Sequence, residues 1–165
     1  MVVDQGKLVT VGIADMRVSQ DEASTVVTYS LGSCVGVVIY DPVVKVGGML
    51  HAMLPEAGDD RKSPGFNPFK YVDSGIPLLF KEAYKYGAKK NRLKVYVTGA
   101  AQILDDSGYF NIGKRNLAVV RKLFWKNGVM VDKEHVGGSV SRTVRLFLDD
   151  GLVTVKLGWG DLITL

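Results

Sequence analysis

The chain has 165 residues, which is enough for one ordinary domain with a core of its own. Hydrophobic residues make up 47% and charged residues 23%, which excludes a disordered chain, and a single cysteine excludes both a disulfide framework and a cysteine-rich zinc site. The net charge of +4 is scattered along the chain rather than concentrated in a stripe, so we expect no nucleic-acid partner.

The first third of the chain is predicted to form β-strands. Runs rich in β-branched residues, which are typical of strands, occupy residues 7–13, 24–29, 34–40 and 46–54. Asp41 and Pro42 lie between the last two runs and indicate a turn, so these runs are predicted to form a β-hairpin. Residues 55–68 contain three prolines, two glycines and several charges, which predicts an exposed loop.

Two helices and four more strands are predicted beyond that loop. Apolar residues recur at helical spacing over residues 71–86 and 114–127, and a glycine follows each segment as a C-terminal cap. Pro77 should bend the first helix or lie in its first turn. Further strands are predicted at residues 93–98, 129–133, 143–148 and 152–157. These elements predict an α/β protein of the α+β type, a single-domain layered sandwich over residues 1–165 with mostly antiparallel strands and two main helices.

The chain lacks the sequence features of a membrane or secreted protein. No apolar run approaches the roughly 18 to 20 residues that cross a bilayer, and the N-terminal segment lacks the pattern of a secretory signal. We therefore expect a cytoplasmic protein without membrane insertion, in keeping with its single cysteine.

Cys34 and His51 lie on the two strands of the predicted hairpin. If the hairpin turns between Pro42 and Val43, Cys34 lies directly opposite His51 on one face of the sheet. Directly opposed residues have Cβ atoms about 4.5 to 5.5 Å apart, so the thiol would lie within reach of the imidazole. Such a pair can yield a thiolate that attacks a carbonyl carbon. The alternative is a buried structural cysteine beside a hydrogen-bonded histidine.

The residues just before Cys34 suit the binding of a substrate oxygen. Glycine supplies 19 of the 165 residues, above the usual share of about 7%, and Gly32 and Ser33 are both small. Gly32 permits unusual dihedrals, so the backbone N–H of Cys34 and of a neighbour could form an oxyanion hole. Alternatively, Gly32 serves only as a turn between two strands.

A third group usually orients the imidazole of such a pair. The sequence leaves four candidates open for that role: Thr28, Ser30, Ser33 and Asp41. The second histidine, His135, stands beside two glycines and is expected in a loop or on the surface rather than as a second base. No motif for a metal or a cofactor accompanies these residues, and we expect neither.

A specific pattern of residues surrounds the cysteine and the histidine. It runs Thr28-x-x-x-Gly32-Ser33-Cys34, continues with Asp41-Pro42, and ends with Gly47-Gly48-Met49-x-His51-x-Met53-Leu54-Pro55. Supporting segments are Lys70-Tyr71-x-Asp73, Gly99-Ala100-Ala101, Asn111-Ile112-Gly113-x-Arg115-Asn116, Gly137-Gly138 and Arg142. Together they resemble the bacterial chemoreceptor glutamine deamidases of the CheD family, from about residue 9 to residue 157.

The resemblance implies a triad with Cys34 as nucleophile, His51 as base and Thr28 as the orienting residue. It implies hydrolysis of glutamine side chains on methyl-accepting chemotaxis receptors to glutamate, with release of ammonia. Some members are expected to hydrolyse receptor glutamyl methyl esters as well. The implied partners are the cytoplasmic helices of the receptors and a response-regulator phosphatase of the chemotaxis system.

Two other classes of function remain open from the sequence. The chain could be a non-catalytic regulatory module that docks to receptors and to the phosphatase. It could also be a thiol redox sensor, in which Cys34 acts without His51. Substitution of His51 separates the enzyme from the sensor, since only the enzyme needs the imidazole.

Overall fold

The computed structural model describes residues 6–103, 111–158 and 160–165. The strands in these ranges are β1 (Lys7–Thr10), β2 (Asp15–Ser19), β3 (Ser24–Leu31), β4 (Val35–Asp41), β5 (Val46–Ala52), β6 (Lys94–Gly99), β7 (Lys133–Val136), β8 (Arg142–Phe147), β9 (Val153–Leu157) and β10 (Leu162–Thr164). The α-helices are α1 (Val72–Lys85) and α2 (Ile112–Asn127). None of the helices in these ranges is long and apolar enough to cross a bilayer.

The strands form two five-stranded sheets that pack against each other. The first sheet has the order β1-β3-β8-β9-β10 and the second the order β2-β5-β4-β6-β7. Within the described ranges, the β1–β3 and β6–β7 pairs are parallel and the other pairs are antiparallel. The predicted α+β sandwich of mostly antiparallel strands with two main helices is confirmed.

The second sheet is buried on both faces, which explains the continuous apolar run of β4. Val37 and Ile39 pack beneath the two helices, whereas Val38 and Tyr40 face the first sheet. Every residue of β4 and of β5 is buried as a result. Any functional side chain on the inner face of these strands therefore lies between the two sheets.

The hairpin of β4 and β5 turns one residue later than the sequence predicts. Gly36, not Cys34, lies opposite His51, because the loop of four residues is centred between Val43 and Val44 rather than between Pro42 and Val43. The Asp41 carboxylate accepts from the Val43 N–H at 2.9 Å, and a left-handed residue (φ 53°) precedes β5. Because the turn is centred one residue later, the register moves by two positions, and the predicted direct pairing of Cys34 with His51 is wrong.

Short, half-buried strands depart most from the prediction. β2 and β10 are missing from it, since runs of three to five residues at a sheet edge carry little periodicity. The segment 129–133 is mostly irregular, and the strand lies later, at β7. His135 belongs to this strand, so its placement in a loop is wrong. Pro77 lies in the second turn of α1, not the first.

Candidate active site

Thr28 and His51 meet across the two sheets. Both residues are fully buried, and Thr28 Oγ1 lies 2.7 Å from His51 Nδ1. The Thr28 hydroxyl also donates to the carbonyl oxygen of Val11 at 2.8 Å. Because a hydroxyl has a single proton, its remaining interaction must be to accept from Nδ1–H of the ring. This assigns the tautomer: Nδ1 is protonated, and Nε2 carries a free lone pair.

Of the four residues that the sequence left open as the orienting group, Thr28 is the one that bonds to the ring. Ser30 is exposed and adopts a left-handed conformation (φ 55°) in the bulge that ends β3. Asp41 lies at the far end of β4, where its carboxylate binds Arg92. The packing of one sheet on the other thus selects Thr28, the residue that the family resemblance also implies.

The free side of the His51 ring is buried. Nε2 is buried and has no hydrogen-bond partner within the described part of the chain. Burial lowers the pKa of His51 to about 4, since the charged imidazolium is poorly solvated there. The imidazole is therefore neutral at pH 7 and retains the lone pair that a general base needs.

Cys34 lies in the bend that precedes β4, on the same face as His51. A register shift of two keeps a residue on its original face, so Cys34 is diagonal to His51 rather than directly opposite. The half-buried thiol packs against the apolar cluster between the sheets, and no hydrogen bond joins it to His51 in the described ranges. Burial raises the pKa of the Cys34 thiol, although its own backbone N–H partly offsets the rise.

The backbone before Cys34 has two N–H groups that point away from α2 and from the end of β6. Ala101 N–H donates to the carbonyl of Gly32 at 3.0 Å, and Ala100 N–H donates to the carbonyl of Cys34 at 2.8 Å. The carbonyl of Ser33, between them, accepts from a side chain of α2. Since C=O and N–H of one trans peptide point in opposite directions, the N–H groups of Ser33 and Cys34 point away from α2 and β6. These two groups are the candidate oxyanion donors.

Gly32 does not adopt the unusual conformation that its residue type allows, and a side chain there would contact only the flexible end of Ile103. Its φ lies outside the left-handed region, and a Cβ there would meet Ile103 Cδ1 at 3.0 Å. The left-handed glycine of the site is Gly99, at φ 93°, where a Cβ would lie 2.5 Å from the carbonyl oxygen of Cys34. Gly99 thus allows β6 to approach the backbone of Cys34 closely.

Asn116 is a site residue whose role the sequence analysis missed. It is fully buried, and its Nδ2 donates to the carbonyls of Ser33 and Met53, each at 3.0 Å. The residue occurs in a family-like segment, but the signal for its role is its position. Together with Gly113, Val120 and Phe124 it forms the buried face of α2, where a polar side chain is out of place unless it is bonded.

His135 interacts with Arg142 and not with the thiol. Arg142 Nε donates to His135 Nδ1 at 3.0 Å, and the guanidinium also donates to the carbonyls of Gly99 and Gly137. Burial and the charge of Arg142 lower the pKa of His135. The buried Arg142 therefore holds the end of β6 that contacts the nucleophile segment.

Comparisons with known proteins agree with one another. Residues 53–157 match the family model described as CheD chemotactic sensory transduction. The chain is 49% identical to "Probable chemoreceptor glutamine deamidase CheD 1" of Syntrophus aciditrophicus (strain SB), over 93% of this chain and 96% of that protein. It is 46% identical to "Probable chemoreceptor glutamine deamidase CheD 2" of Anaeromyxobacter dehalogenans (strain 2CP-C), over 92% and 95%.

Two further comparisons concern another sequence relative and a solved structure. The chain is 44% identical to "Probable chemoreceptor glutamine deamidase CheD" of Pyrococcus horikoshii, over 91% of this chain and 92% of that protein. A crystal structure of a Neisseria meningitidis protein of family DUF152 aligns with a TM-score of 0.46 and 10% identity, over 81% of this chain and 63% of that one. Each of the three sequence alignments omits less than a tenth of the chain, so each spans the segment from Thr28 to His51.

Proposed function

The chain belongs to the CheD family, and we propose that it is a protein-glutamine glutaminase that deamidates chemotaxis receptors through Cys34. The observation that carries this proposal is the bond from His51 Nδ1–H to Thr28. That bond leaves Nε2 as an unprotonated base on the same face of the sheet as Cys34. The names of the relatives, as chemoreceptor glutamine deamidases, supply the substrate class.

The reaction begins with a neutral thiol and a neutral imidazole. Burial raises the pKa of Cys34 and lowers that of His51, so both shifts disfavour a preformed thiolate–imidazolium pair. The thiol proton therefore passes to His51 Nε2 as the sulfur attacks the carbonyl carbon of the glutamine amide. The N–H groups of Ser33 and Cys34 donate hydrogen bonds to the amide oxygen as it becomes negatively charged. One such donor contributes about 2.7 to 4 kcal/mol in a preorganised site.

The tetrahedral intermediate then collapses to a thioester. His51 returns the proton to the amide nitrogen, the C–N bond breaks, and ammonia leaves. A water molecule attacks the thioester while His51 accepts its proton. The C–S bond breaks, the receptor keeps a glutamate side chain, and the proton on His51 regenerates the Cys34 thiol.

The same nucleophile can act on a glutamyl methyl ester, because methanol is an easier leaving group than ammonia from the tetrahedral intermediate. Methylesterase activity is accordingly part of the proposal. We place the reaction at the cytoplasmic helices of the receptors, with the enzyme in the cytoplasm. Binding of a response-regulator phosphatase remains a prediction from the family resemblance.

The environment of the thiol argues against a redox sensor. Sensor cysteines are exposed and have lowered pKa values, whereas Cys34 is half-buried and its pKa is raised. A cysteine that depends on a neighbouring base for activation fits the burial better.

The proposal is tested with the purified protein and the cytoplasmic domain of a chemotaxis receptor. Ammonia is measured for the untreated protein and for protein alkylated at Cys34, its one thiol. We expect ammonia release that alkylation abolishes, and methanol release from the methylated receptor that is lost in parallel. Receptor binding without any ammonia would contradict the proposal and favour the non-catalytic regulatory module.

A further inference from the structure

Asn116 joins the two chain segments that carry the nucleophile and the base. The hydrogen-bonded pairing of β4 with β5 ends at Val35 and Ala52. Beyond these residues the two backbone segments continue without pairing to each other. Ser33 and Met53 lie just past that end, and the Asn116 amide nitrogen donates to both of their carbonyls at 3.0 Å. The Asn116 side chain therefore links the segment before β4 to the segment after β5, at the point where the pairing of these strands ends.

The bridge lies close in sequence to both reacting side chains. Ser33 immediately precedes Cys34, and Met53 follows His51 by two residues. Two bonds from one rigid amide group fix the separation of the two carbonyls, and hence that of the backbones next to the thiol and the imidazole. Helix α2 supplies this group from the opposite side of the sheet to the Thr28–His51 bond.

The bridge comes with an energetic cost that packing alone would avoid. Asn116 Oδ1 is buried and lacks a hydrogen-bond partner in the described part of the chain. Leaving a buried acceptor unpaired is unfavourable for folding. An aliphatic side chain would suit the apolar neighbours on this face of α2 without that cost, but it would provide no donor for the two carbonyls.

We propose that Asn116 is a positioning residue that sets the distance between the Cys34 thiol and His51 Nε2. The inference rests on the proposed function, because the distance matters only if the thiol and the imidazole react together. Asn116 does not touch the reacting atoms. It acts through the backbones of Ser33 and Met53, and a displacement of about 1 Å in such a site can cost on the order of 10²-fold in rate.

The test compares Asn116→Ala and the near-isosteric Asn116→Asp with Asn127→Ala. Asn127 is a matched control, because its amide also donates to a backbone carbonyl from α2, at 2.8 Å, but on the exposed end of the helix. We expect both Asn116 variants to lose about 10²-fold in kcat with KM near the wild-type value. Asn127→Ala should retain both constants. Asn116→Asp keeps the shape of the side chain, so it provides the comparison if Asn116→Ala folds poorly.

A double-variant cycle separates positioning from simple stability. Cys34 alkylation by iodoacetamide is measured for the wild type, His51→Ala, Asn116→Ala and the double variant. We expect His51→Ala to be alkylated more slowly than the wild type. The double variant should be alkylated at the same rate as Asn116→Ala. If the dependence on His51 survives in Asn116→Ala, this inference is overturned while the proposed function stands. If the wild type shows no dependence on His51, the proposed function and this inference fail together.

Discussion

Thr28 Oγ1 lies 2.7 Å from His51 Nδ1, although the two residues belong to different sheets. The same hydroxyl is anchored to the carbonyl of Val11, so the imidazole is held by the packing of one sheet on the other. The site therefore depends on the whole sandwich rather than on one loop. A change at this contact should alter catalysis before it alters the fold.

Replacing Thr28 with valine tests the orienting bond. Valine keeps the shape of threonine but removes the acceptor for His51 Nδ1–H, so the ring loses its fixed tautomer. We expect kcat to fall by about 10²-fold, the lower end of what a positioned general base contributes. Thr28→Ser retains the hydroxyl and should recover most of the rate. A wild-type kcat in Thr28→Val would contradict the orienting role of the hydroxyl.

His51 should make stability depend on pH in a defined window. Its pKa is about 4 in the folded protein and near 6.5 in the unfolded chain, so the unfolded chain binds the proton more tightly. The contribution of neutral His51 to the free energy of unfolding is fully present above about pH 6.5. It declines as the pH falls towards 4, by about 3 kcal/mol over the whole window. Urea unfolding of the wild type and of His51→Gln at several pH values measures the difference. Curves that stay parallel would contradict the lowered pKa.

Asp41 should be a strong contributor to stability. Its burial alone would raise the pKa of the carboxyl, but bonds from Arg92 and from the backbone N–H groups of Lys89, Val43 and Val44 lower it overall. The side chain is fully buried, so Asp41→Ala leaves the Arg92 charge and several donors unpaired. We expect the free energy of unfolding to fall by about 3 to 5 kcal/mol.

The control for Asp41 is the exposed ion pair of Glu82 and Lys85. These side chains lie 3.0 Å apart on the surface of α1, and Glu82→Ala should change the free energy of unfolding by less than about 1 kcal/mol. Chemical denaturation measures both variants under the same conditions. Similar losses in the two variants would argue against a special role for Asp41.

Gly99→Ala should damage both stability and activity. The residue has φ 93°, and an added Cβ would lie 2.5 Å from the carbonyl oxygen of Cys34. Relief of this contact requires the nucleophile segment to move, so kcat should fall together with about 1 to 3 kcal/mol of unfolding free energy. Gly128→Ala has a comparable φ of 64° but open space around the new methyl group. Gly128→Ala should therefore lose stability but keep its kcat. A reduced kcat in Gly128→Ala would show that the effect of Gly99→Ala does not come from its closeness to Cys34.

The sequence predicts the layered fold because the architecture depends on local patterns, and it singles out Cys34 and His51 as neighbours on one predicted hairpin. The continuous apolar run of β4 and the apolar stripes of both helices indicate this architecture. Cys34 and His51 keep a common face even though the turn is centred one residue later than predicted, since the register moves by two residues and not by one.

The contacts that define the site could not be predicted, because they join elements distant along the chain. The family resemblance implies Thr28, but the residues alone do not favour it over Ser30, Ser33 and Asp41, because the choice depends on the packing of one sheet on the other. The role of Asn116 requires α2 to lie over the ends of two strands, with sequence separations of 63 and 83 residues. Local periodicity carries no information on such distances.

The most direct test of catalysis by Cys34 is mass spectrometry of a receptor cytoplasmic domain after incubation with the protein. Each converted glutamine gains about one dalton, since an amide becomes an acid. Asn127→Ala serves as the control for handling, because it leaves the site untouched. We predict conversion of specific glutamines by the wild type and by Asn127→Ala, and none by folded Cys34→Ala. Conversion by Cys34→Ala at the wild-type rate would contradict the account.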